Sequence, residues 1–476
     1  MAQDEADNRA FVVEQRGIEF VPHDERNMTP RQLGVFWLGS SFYPFNVLLG
    51  VIIYSLGMPL WLSILITVVG GALSYAPVAL ASIAGARSGM PTHITLRATF
   101  GMGGERVNAL LGWIVGIIYE IINVAVGVFA AVAIFNELGW HNSGNGGLAV
   151  GLIVVYGLCI SLPLFGHATM MAVQKFFSVA LAIASLLLFL ALVGDVHLGA
   201  RIGDPLGGKA TVEMVFVAMG IAWAGGYSYM IVALDYPRYM PERTPSRSIF
   251  WQVLGGSAIA AGFLGLVGTM MAAQADIGFD PVANVKGIVP QWIFIIWIFA
   301  AIGGSISNNA LTLYSAGLAA QAVGLPLKRW QATIVDGIIA IAGLIYTLFV
   351  ARDTFLGDLG SWIILAIAWI GPFGIVYLFD LWWRNWRVRA DHAHGEGGNP
   401  YAGIKGTRVA AWVATVAGII AALLTIASPK FTGPLGDALD TDLSWLAGPV
   451  VAGIIYWVMA RRQVAAEHKR LTYTDN

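Results

Sequence analysis

Twelve long apolar stretches follow one another along the chain, and only short polar connectors separate them. A helix needs about 20 apolar residues to cross a bilayer. Only 12% of the residues are charged, against roughly 25% in a soluble domain. These features exclude a disordered chain and a soluble multidomain enzyme, and they predict an all-α polytopic membrane protein with twelve transmembrane helices. The stretches, numbered as spans 1 to 12, lie at residues 34–56, 59–86, 108–138, 147–164, 173–195, 212–235, 250–274, 290–318, 331–350, 359–381, 408–427 and 442–460.

Basic residues are distributed unequally between the two sides that twelve spans would define. The side that holds both termini also holds 22 of the 27 Lys and Arg residues. Cytoplasmic segments of membrane proteins carry such an excess of basic residues. The bias predicts a multi-pass protein of the plasma (inner) membrane with cytoplasmic N- and C-termini. The cytoplasmic parts would be the N-terminal segment 1–33, the loop 382–407 and the tail 461–476.

Two spans are interrupted at corresponding places, five spans apart. Span 1 contains Gly39-Ser-Ser-Phe-Tyr-Pro44, and a proline inside a helix removes a hydrogen bond and kinks it. Span 6 contains Trp223-Ala-Gly-Gly-Tyr-Ser228, where adjacent glycines permit unwinding. Glycine and proline are common in transmembrane helices, so either break alone has an ordinary explanation. Paired breaks are typical of inverted-repeat transporters that bind their substrate at mid-membrane.

The spacing of these breaks predicts two structural repeats. The first repeat would comprise spans 1 to 5 (34–195), and the second would comprise spans 6 to 10 (212–381). Spans 11 and 12 (408–460) would follow as an addition. Each repeat would contribute one broken helix to a shared binding site.

Span 3 carries a carboxyl group in the middle of an apolar run. Glu120 is followed three residues later by Asn123, so both side chains point to one face of the helix. A carboxylate at the bilayer centre costs about 2.5–3.5 kcal/mol, and such residues are functional by default. The side chains of Glu120 and Asn123 would suit the edge of a planar ligand that offers N–H donors. The alternative is that Glu120 makes a hydrogen bond to another helix for packing alone. The sequence reveals no acidic partner for Glu120, and Asp336 in span 9 is expected near the interface.

Span 8 contains a polar cluster, Gly303-Gly-Ser-Ile-Ser-Asn-Asn309. Hydroxyl and amide oxygens such as those of Ser307 and Asn308 suit Na⁺, or water in a proton-driven site. The alternative is small-residue helix packing, with Ser and Asn bonding across the interface. No His or Cys cluster lies within the spans. We therefore expect no cofactor and no metal apart from a possible Na⁺, with Na⁺ or H⁺ as the coupling ion.

Several motifs occur in a fixed order from residue 16 to about residue 384. They are Arg16-Gly-Ile-Glu-Phe-Val-Pro-His-Asp-Glu-Arg26, Arg97-Ala-Thr-Phe-Gly-Met-Gly-Gly104, Asn123-Val-Ala-Val-Gly127, Asp235-Tyr-Pro-Arg-Tyr239, Asn309-Ala-Leu-Thr-Leu-Tyr-Ser-Ala-Gly-Leu318, and Pro372, Asp380 and Arg384 in span 10. In combination they resemble the nucleobase:cation symporter-1 family, and most of all its purine–cytosine permease branch. The resemblance implies the LeuT-type 5+5 inverted repeat, with the first and sixth helices broken and two further C-terminal helices.

The resemblance implies that the substrate lies between spans 1, 3, 6 and 8. Tyr43 would stack on the base, and Glu120 and Asn123 would bond its polar edge. Gly304 replaces an asparagine that binds substrate in relatives, so that contact would move to Asn308. With Trp223 and Tyr227 as further stacking candidates, the predicted substrate contacts are Tyr43, Glu120, Asn123, Trp223, Gly226, Tyr227, Ser228, Gly304 and Asn308, with Gly226 and Ser228 on the unwound part of span 6.

The cation site and the gate are also implied by the resemblance and by position. The cation would be bound by the side chains of Ser307 and Asn308 and by backbone carbonyls near Gly39 and Phe42. At the cytoplasmic end of span 6, Asp235 and Arg238 are predicted to form an ion pair or a gate.

The predicted function is cation-coupled uptake of a nucleobase (purine or cytosine) or a related heterocycle by alternating access. The alternative is a symporter of the same fold for another small solute, such as hydantoin, allantoin or an amino acid. A membrane-embedded enzyme or a channel is a more remote alternative, because no catalytic constellation or run of pore-lining charges occurs. The expected partners are the substrate and the lipid bilayer. The net charge of −1 offers no footprint for nucleic acid, and we expect a monomer.

Overall fold

The computed structural model describes residues 17–140, 144–164, 166–275, 282–394, 401, 406–428 and 430–473. Within this part of the chain the regular structure is helical. Eleven of the described helices are long and apolar enough to cross a membrane, and a bent pair, Pro30–Ser41 with Phe45–Ser55, makes the twelfth. The prediction of an all-α protein with twelve transmembrane helices is confirmed.

The helices follow the predicted spans closely, with some longer than expected. In order they are Pro30–Ser41 with Phe45–Ser55 (span 1), Leu60–Ser88 (2), Thr92–Glu137 (3), Gly144–Leu164 (4), Gly166–Leu192 (5), Gly208–Tyr227 (6), Ser246–Gln274 (7), Gln291–Val323 (8), Arg329–Phe349 (9), Phe355–Trp383 (10), Gly406–Thr425 (11) and Ser444–Tyr473 (12). Two short helices, Ala390–His394 and Pro434–Leu439, lie in connectors. The helix of span 12 therefore extends into residues that the sequence assigned to the tail.

Span 1 breaks where the sequence predicts. Its two halves meet at an angle of 53°, and Pro44 stands immediately before the second half. The side-chain amide of Asn46 donates to the carbonyl of Ser41 at 2.7 Å. This bond satisfies one of the carbonyl groups that the end of a helix leaves without an intrahelical partner.

Span 6 also changes its geometry, but slightly later than the sequence predicts. The α-helix continues to Tyr227, and a 3₁₀ segment, Ser228–Val232, follows. Gly226 was predicted to lie on the unwound part, and the structure instead places it inside the α-helix. Its lack of a side chain serves close packing, because a Cβ atom there would lie 2.1 Å from Oγ of Ser74 in span 2.

Span 3 begins well before the apolar run that predicted it. The helix starts at Thr92 and includes one non-helical residue, Gly101, with φ of 75°. A positive φ is readily available only to glycine, so this residue allows the polar first part of the helix to join the apolar part at a kink. Spans 3 and 8 pack along each other. Most of the site described below lies where they meet spans 1 and 6.

Candidate substrate and cation site

A cavity of about 60 Å³ lies between spans 1, 3, 6 and 8. A cavity of this volume has room for several water molecules. Its wall combines aromatic rings with amide and hydroxyl groups, as ligand sites usually do. The polar and aromatic side chains on the wall are Tyr43, His93, Tyr119, Asn123, Ser228, Tyr229, Tyr236, Asn308, Thr312 and Ser315.

Two asparagines tie the four spans together at this cavity. Asn123 of span 3 donates from Nδ2 to Oδ1 of Asn308 in span 8 at 2.9 Å. Asn308 in turn donates from Nδ2 to the carbonyl of Ser40, at the break of span 1, at 2.7 Å. The same nitrogen lies 3.2 Å from the hydroxyl of Tyr229 in span 6. Oδ1 of Asn123 is buried and accepts no hydrogen bond, so it remains as an acceptor on a cavity-lining residue.

Tyrosine rings supply much of the cavity wall. Tyr43 stacks on Phe45, with ring centroids 5.6 Å apart and planes 12° apart. Tyr229 stacks on Tyr75 of span 2 at 5.9 Å. The hydroxyl of Tyr236 lies 3.0 Å from that of Ser315 in span 8. Rings held in this way present flat faces without losing much side-chain entropy on binding.

Three predicted contacts on span 6 face away from the cavity. Trp223 and Tyr227 stack on each other at 5.5 Å, and the Tyr227 hydroxyl donates to the carbonyl of Gly371 in span 10 at 3.2 Å. Trp223 also packs near Trp445 of span 12. Positions three and four residues apart share one helical face, and this face, which includes Gly226, packs against protein. Of the predicted span 6 residues, Ser228 lies on the cavity wall.

Glu120 is fully buried but does not line the cavity. Its Oε1 accepts a hydrogen bond from the hydroxyl of Tyr156 in span 4 at 2.7 Å. Its carboxyl group also interacts directly with that of Asp336 in span 9. Asp336 is equally buried, so Glu120 has an acidic partner that the sequence did not reveal. Oδ1 of Asp336 accepts from Nε1 of Trp113 at 2.6 Å.

The predicted cation ligands lie close to the break of span 1. A Cβ atom on Gly304 would lie 3.5 Å from the carbonyl oxygen of Phe42, so spans 1 and 8 are in close contact here. The hydroxyl of Ser307, one turn further along span 8, is buried and has no hydrogen-bond partner. Gly39 faces span 5, where its Cβ would meet Oγ of Ser178. The cation-binding role of Ser307 stays a prediction.

The described residues hold no group of three His, Cys, Asp or Glu side chains that is suited to a metal ion.

Asp235 and Arg238 are fully buried and connect the end of span 6 to other elements. Asp235 accepts a hydrogen bond from the backbone N–H of Thr92, at the start of span 3, at 2.9 Å. Arg238 donates to the carbonyl of Gly17 in the N-terminal segment at 2.9 Å and to the hydroxyl of Tyr314 in span 8 at 3.0 Å. These bonds join four parts of the chain. The gating role stays a prediction.

Sequence reasoning missed several residues of the wall. His93, Tyr119, Tyr229, Tyr236 and Ser315 all line the cavity. Tyr229 follows the break of span 6 by one residue, and Tyr236 lies within a motif that the resemblance used. Their position in the chain was a usable signal, but the direction in which each ring points depends on how the spans pack.

The match to a family model decides which kind of protein this cavity belongs to. The model, described as "Permease for cytosine/purines, uracil, thiamine, allantoin", matches residues 20–448. The chain belongs to this family. It is thus a nucleobase:cation symporter-1 transporter, as the sequence motifs indicated, and not an enzyme.

Individual relatives cover much of the permease. A candidate purine-cytosine permease of Bacillus subtilis (strain 168), YxlA, is 22% identical over 97% of this chain and 98% of its own. The vitamin B6 transporter TPN1 of Saccharomyces cerevisiae is 25% identical over 78% of this chain and 66% of its own.

Among solved structures, the nucleobase-cation-symport-1 transporter Mhp1, closed with bromovinylhydantoin bound, has a TM-score of 0.70 to this permease. It is 16% identical, over 95% of this chain and 96% of its own. The likeness shows the fold, and it confirms the LeuT-type inverted repeat. The chain is therefore a multi-pass membrane transporter.

Proposed function

We propose that this permease imports a nucleobase or a related planar heterocycle together with a cation, and that the substrate binds in the cavity between spans 1, 3, 6 and 8. The observation that carries the proposal is the amide pair Asn123–Asn308 beside tyrosine rings. A planar polar ring loses its hydration when it is buried, and this is costly unless its edge atoms find partners. Oδ1 of Asn123 has no hydrogen-bond partner, so it is available to accept from a ring N–H.

Stacking would supply the second part of the recognition. Tyr43 and Tyr229 line the cavity and are each braced by another ring. Aromatic rings pair favourably with other π-systems, and such contacts tolerate changes in ring substituents. Stacking therefore selects planar heterocycles as a class, and the amide pair selects among them by their edge atoms.

Cation coupling would act through Asn308 and the break of span 1. Asn308 holds the Ser40 carbonyl and the Asn123 amide at once, while Gly304, one turn before Ser307, packs against the Phe42 carbonyl. A cation bound there would stabilise the geometry in which Asn123 meets the substrate. The affinities for cation and substrate would then rise together, as linkage requires.

Thermal unfolding of the purified protein against a ligand panel tests the substrate class. A ligand that binds only the folded state raises stability in proportion to the logarithm of its concentration. We expect stabilisation by at least one of adenine, cytosine, uracil and pyridoxine, and none by free amino acids. Stabilisation by an amino acid alone would overturn the proposal.

The same ligand panel distinguishes a nucleobase transporter from the alternative, a hydantoin or allantoin transporter. Mhp1 was solved with bromovinylhydantoin bound, and hydantoin and allantoin are also planar rings with N–H donors. If hydantoins stabilise the permease and nucleobases do not, the site is a heterocycle site of the alternative class. The amide pair would then serve a five-membered ring.

We further propose that the permease lies in the plasma (inner) membrane with both termini in the cytoplasm. The supporting observation is the excess of Lys and Arg on the side of the termini, which sets orientation during insertion. Labelling of single cysteines at Arg31 and Lys430 in intact cells tests this orientation. Accessibility of the residue 31 cysteine from outside would contradict it.

A further inference from the structure

The carboxyl groups of Glu120 and Asp336 form a buried pair that the substrate cavity does not use. Both side chains are 0% exposed, and they belong to spans 3 and 9, which cross the membrane. Burying one carboxylate at mid-membrane costs about 2.5–3.5 kcal/mol. Two carboxylates in contact repel each other as well, so ionising both at once is unfavourable.

Among the described residues, the side chains found to interact with this pair carry no positive charge. The interacting side chains among the described residues are Trp113 on span 3, Tyr156 and Cys159 on span 4, and Asn309 on span 8. A buried charge is ordinarily neutralised by an opposite charge or by a proton. Because the described neighbours include no cation, we expect a proton to neutralise the charge of this carboxyl pair.

The hydrogen bonds of the pair show where the proton would be held. One oxygen of each group has a neighbour: Oε1 of Glu120 lies 2.7 Å from the Tyr156 hydroxyl, and Oδ1 of Asp336 accepts from Trp113 at 2.6 Å. The Tyr156 hydroxyl also lies 2.8 Å from the carbonyl of Gly337, and its single hydrogen can be donated to only one of the two oxygens at a time. The other two oxygens, Oε2 and Oδ2, are buried and have no partner in hydrogen-bond geometry among the described residues. A proton held between the two carboxyl groups would give one oxygen a donor role and another an acceptor role.

Asn309 provides a second, independent observation. Its side chain is 0% exposed and lies against the Glu120 carboxyl and the Cys159 thiol. Neither its amide nitrogen nor its amide oxygen meets hydrogen-bond geometry with a protein partner. An amide both donates and accepts, so it can serve the carboxyl pair in the protonated and in the ionised form.

We propose that Glu120 and Asp336 form a proton-binding site, separate from the cation site proposed at the break of span 1, and that this second site communicates with the substrate cavity through spans 3 and 8. Asn309 follows Asn308, which holds the cavity amide pair together. On span 3, Glu120 lies one turn from the cavity residues Gly116 and Asn123. In the loaded state Oε2 and Oδ2 share one proton, and in the empty state that proton has passed to water.

The proposal rests on the proposed function for its link to substrate. In a symporter the proton and the substrate must favour each other's binding. The protein should therefore take up a proton from solution when substrate binds. Its affinity for substrate should increase as the pH falls. One linked proton changes affinity by at most about tenfold per pH unit.

Infrared difference spectroscopy of the full-length protein tests the proton site without any ligand. A pH titration should reveal a protonated-carboxyl C=O band that disappears as the pH rises. The band should be lost in Glu120→Gln and in Asp336→Asn, and it should be unchanged in the control Asp358→Asn, whose carboxyl pairs with Lys430 at 2.8 Å. A band that persists in both pair variants, or that is constant at every pH, would overturn the proposal; a constant band would mean a permanent structural proton.

Ligand binding tests the link to the cavity and separates the two proposals. With a stabilising base from the panel as the probe, wild type should take up a proton on binding and bind up to tenfold more tightly per unit fall in pH. Glu120→Gln should bind the base with no proton uptake and no pH dependence. Equal pH dependence in wild type and Glu120→Gln would refute the coupling role, whereas failure of every base to bind wild type would refute the proposed function and leave the infrared result standing.

Discussion

Glu120 and Asp380 are both fully buried carboxyl groups within the same bundle, but they are neutralised in different ways. Asp380 accepts from Nε of Arg384 at 2.7 Å and from the Tyr456 hydroxyl at 2.8 Å. Glu120 meets another carboxyl group and a tyrosine hydroxyl instead. A guanidinium stays charged at any accessible pH, so Asp380 has a fixed partner. Glu120 depends on a proton, which can leave.

This difference separates a structural charge from a functional one. The Asp380–Arg384 pair also connects spans 3, 10 and 12, because Thr99 donates to Asp380 at 2.8 Å and Arg384 lies 3.3 Å from Glu467. An ion pair with so many partners is typical of a structural contact that holds helices together. Four substitutions probe the structural ion pair, the substrate cavity, the carboxyl pair and the Ser307 region, from the largest expected effect on stability or binding to the smallest.

Arg384→Met should give the largest loss of stability. It leaves Asp380 buried without its cation, and removing one partner of a buried ion pair costs about 3–5 kcal/mol. Thermal unfolding in detergent measures the effect, and the double variant Asp380→Asn/Arg384→Met should recover part of it. If the single variant were as stable as wild type, the carboxyl at 380 would not need its guanidinium and the comparison would fail.

Asn308→Ala should weaken substrate binding by about tenfold to a hundredfold. It removes the acceptor for Asn123 and the donor for the Ser40 carbonyl, and one or two hydrogen bonds of this kind are worth about 1–3 kcal/mol. Equilibrium binding of the best ligand from the panel measures the change, with Asp358→Asn as the matched control. Unchanged affinity would remove Asn308 from the site.

Glu120→Gln should change the free energy of unfolding by less than about 1 kcal/mol at low pH, because the amide still accepts from Tyr156 and can donate to Asp336 in place of the shared proton. Thermal unfolding at low and high pH measures it. At high pH the wild type must ionise the pair, so the variant should become relatively more stable. A loss as large as that of Arg384→Met would place Glu120 in the structural class.

Ser307→Ala should have the smallest effect. The hydroxyl has no protein partner, so its removal breaks no bond and stability should be nearly unchanged. Any stabilisation of substrate binding by Na⁺ should decrease, while the order of preference among bases stays the same. A changed pH dependence in this variant would show that the Ser307 region and the carboxyl pair are not separate sites.

The sequence predicted the parts of the fold that depend on local pattern. Hydropathy located the spans, and Pro44 located the break of span 1, because a missing N–H acts at its own position. The second break was displaced by a few residues, since Gly225 and Gly226 only permit unwinding. At Gly226, close packing against Ser74 keeps the helix intact.

The parts of the site that depend on contacts between distant spans could not be predicted in the same way. Trp223 and Tyr227 were expected at the substrate, but the rotation of span 6 turns their shared face towards spans 10 and 12. Asp336 was expected near the interface, although it meets Glu120 more than 200 positions earlier in the chain. Sequence spacing gives the face that residues share, and packing decides what that face meets.

The most direct test of the proposed substrate site is an experimental structure of the permease with the best-stabilising heterocycle bound. The ring should lie between spans 1, 3, 6 and 8, stacked beside Tyr43, with a ring N–H about 3 Å from Oδ1 of Asn123. A ligand found against Trp223 and Tyr227, or bonded directly to Glu120, would contradict the assignment of the cavity.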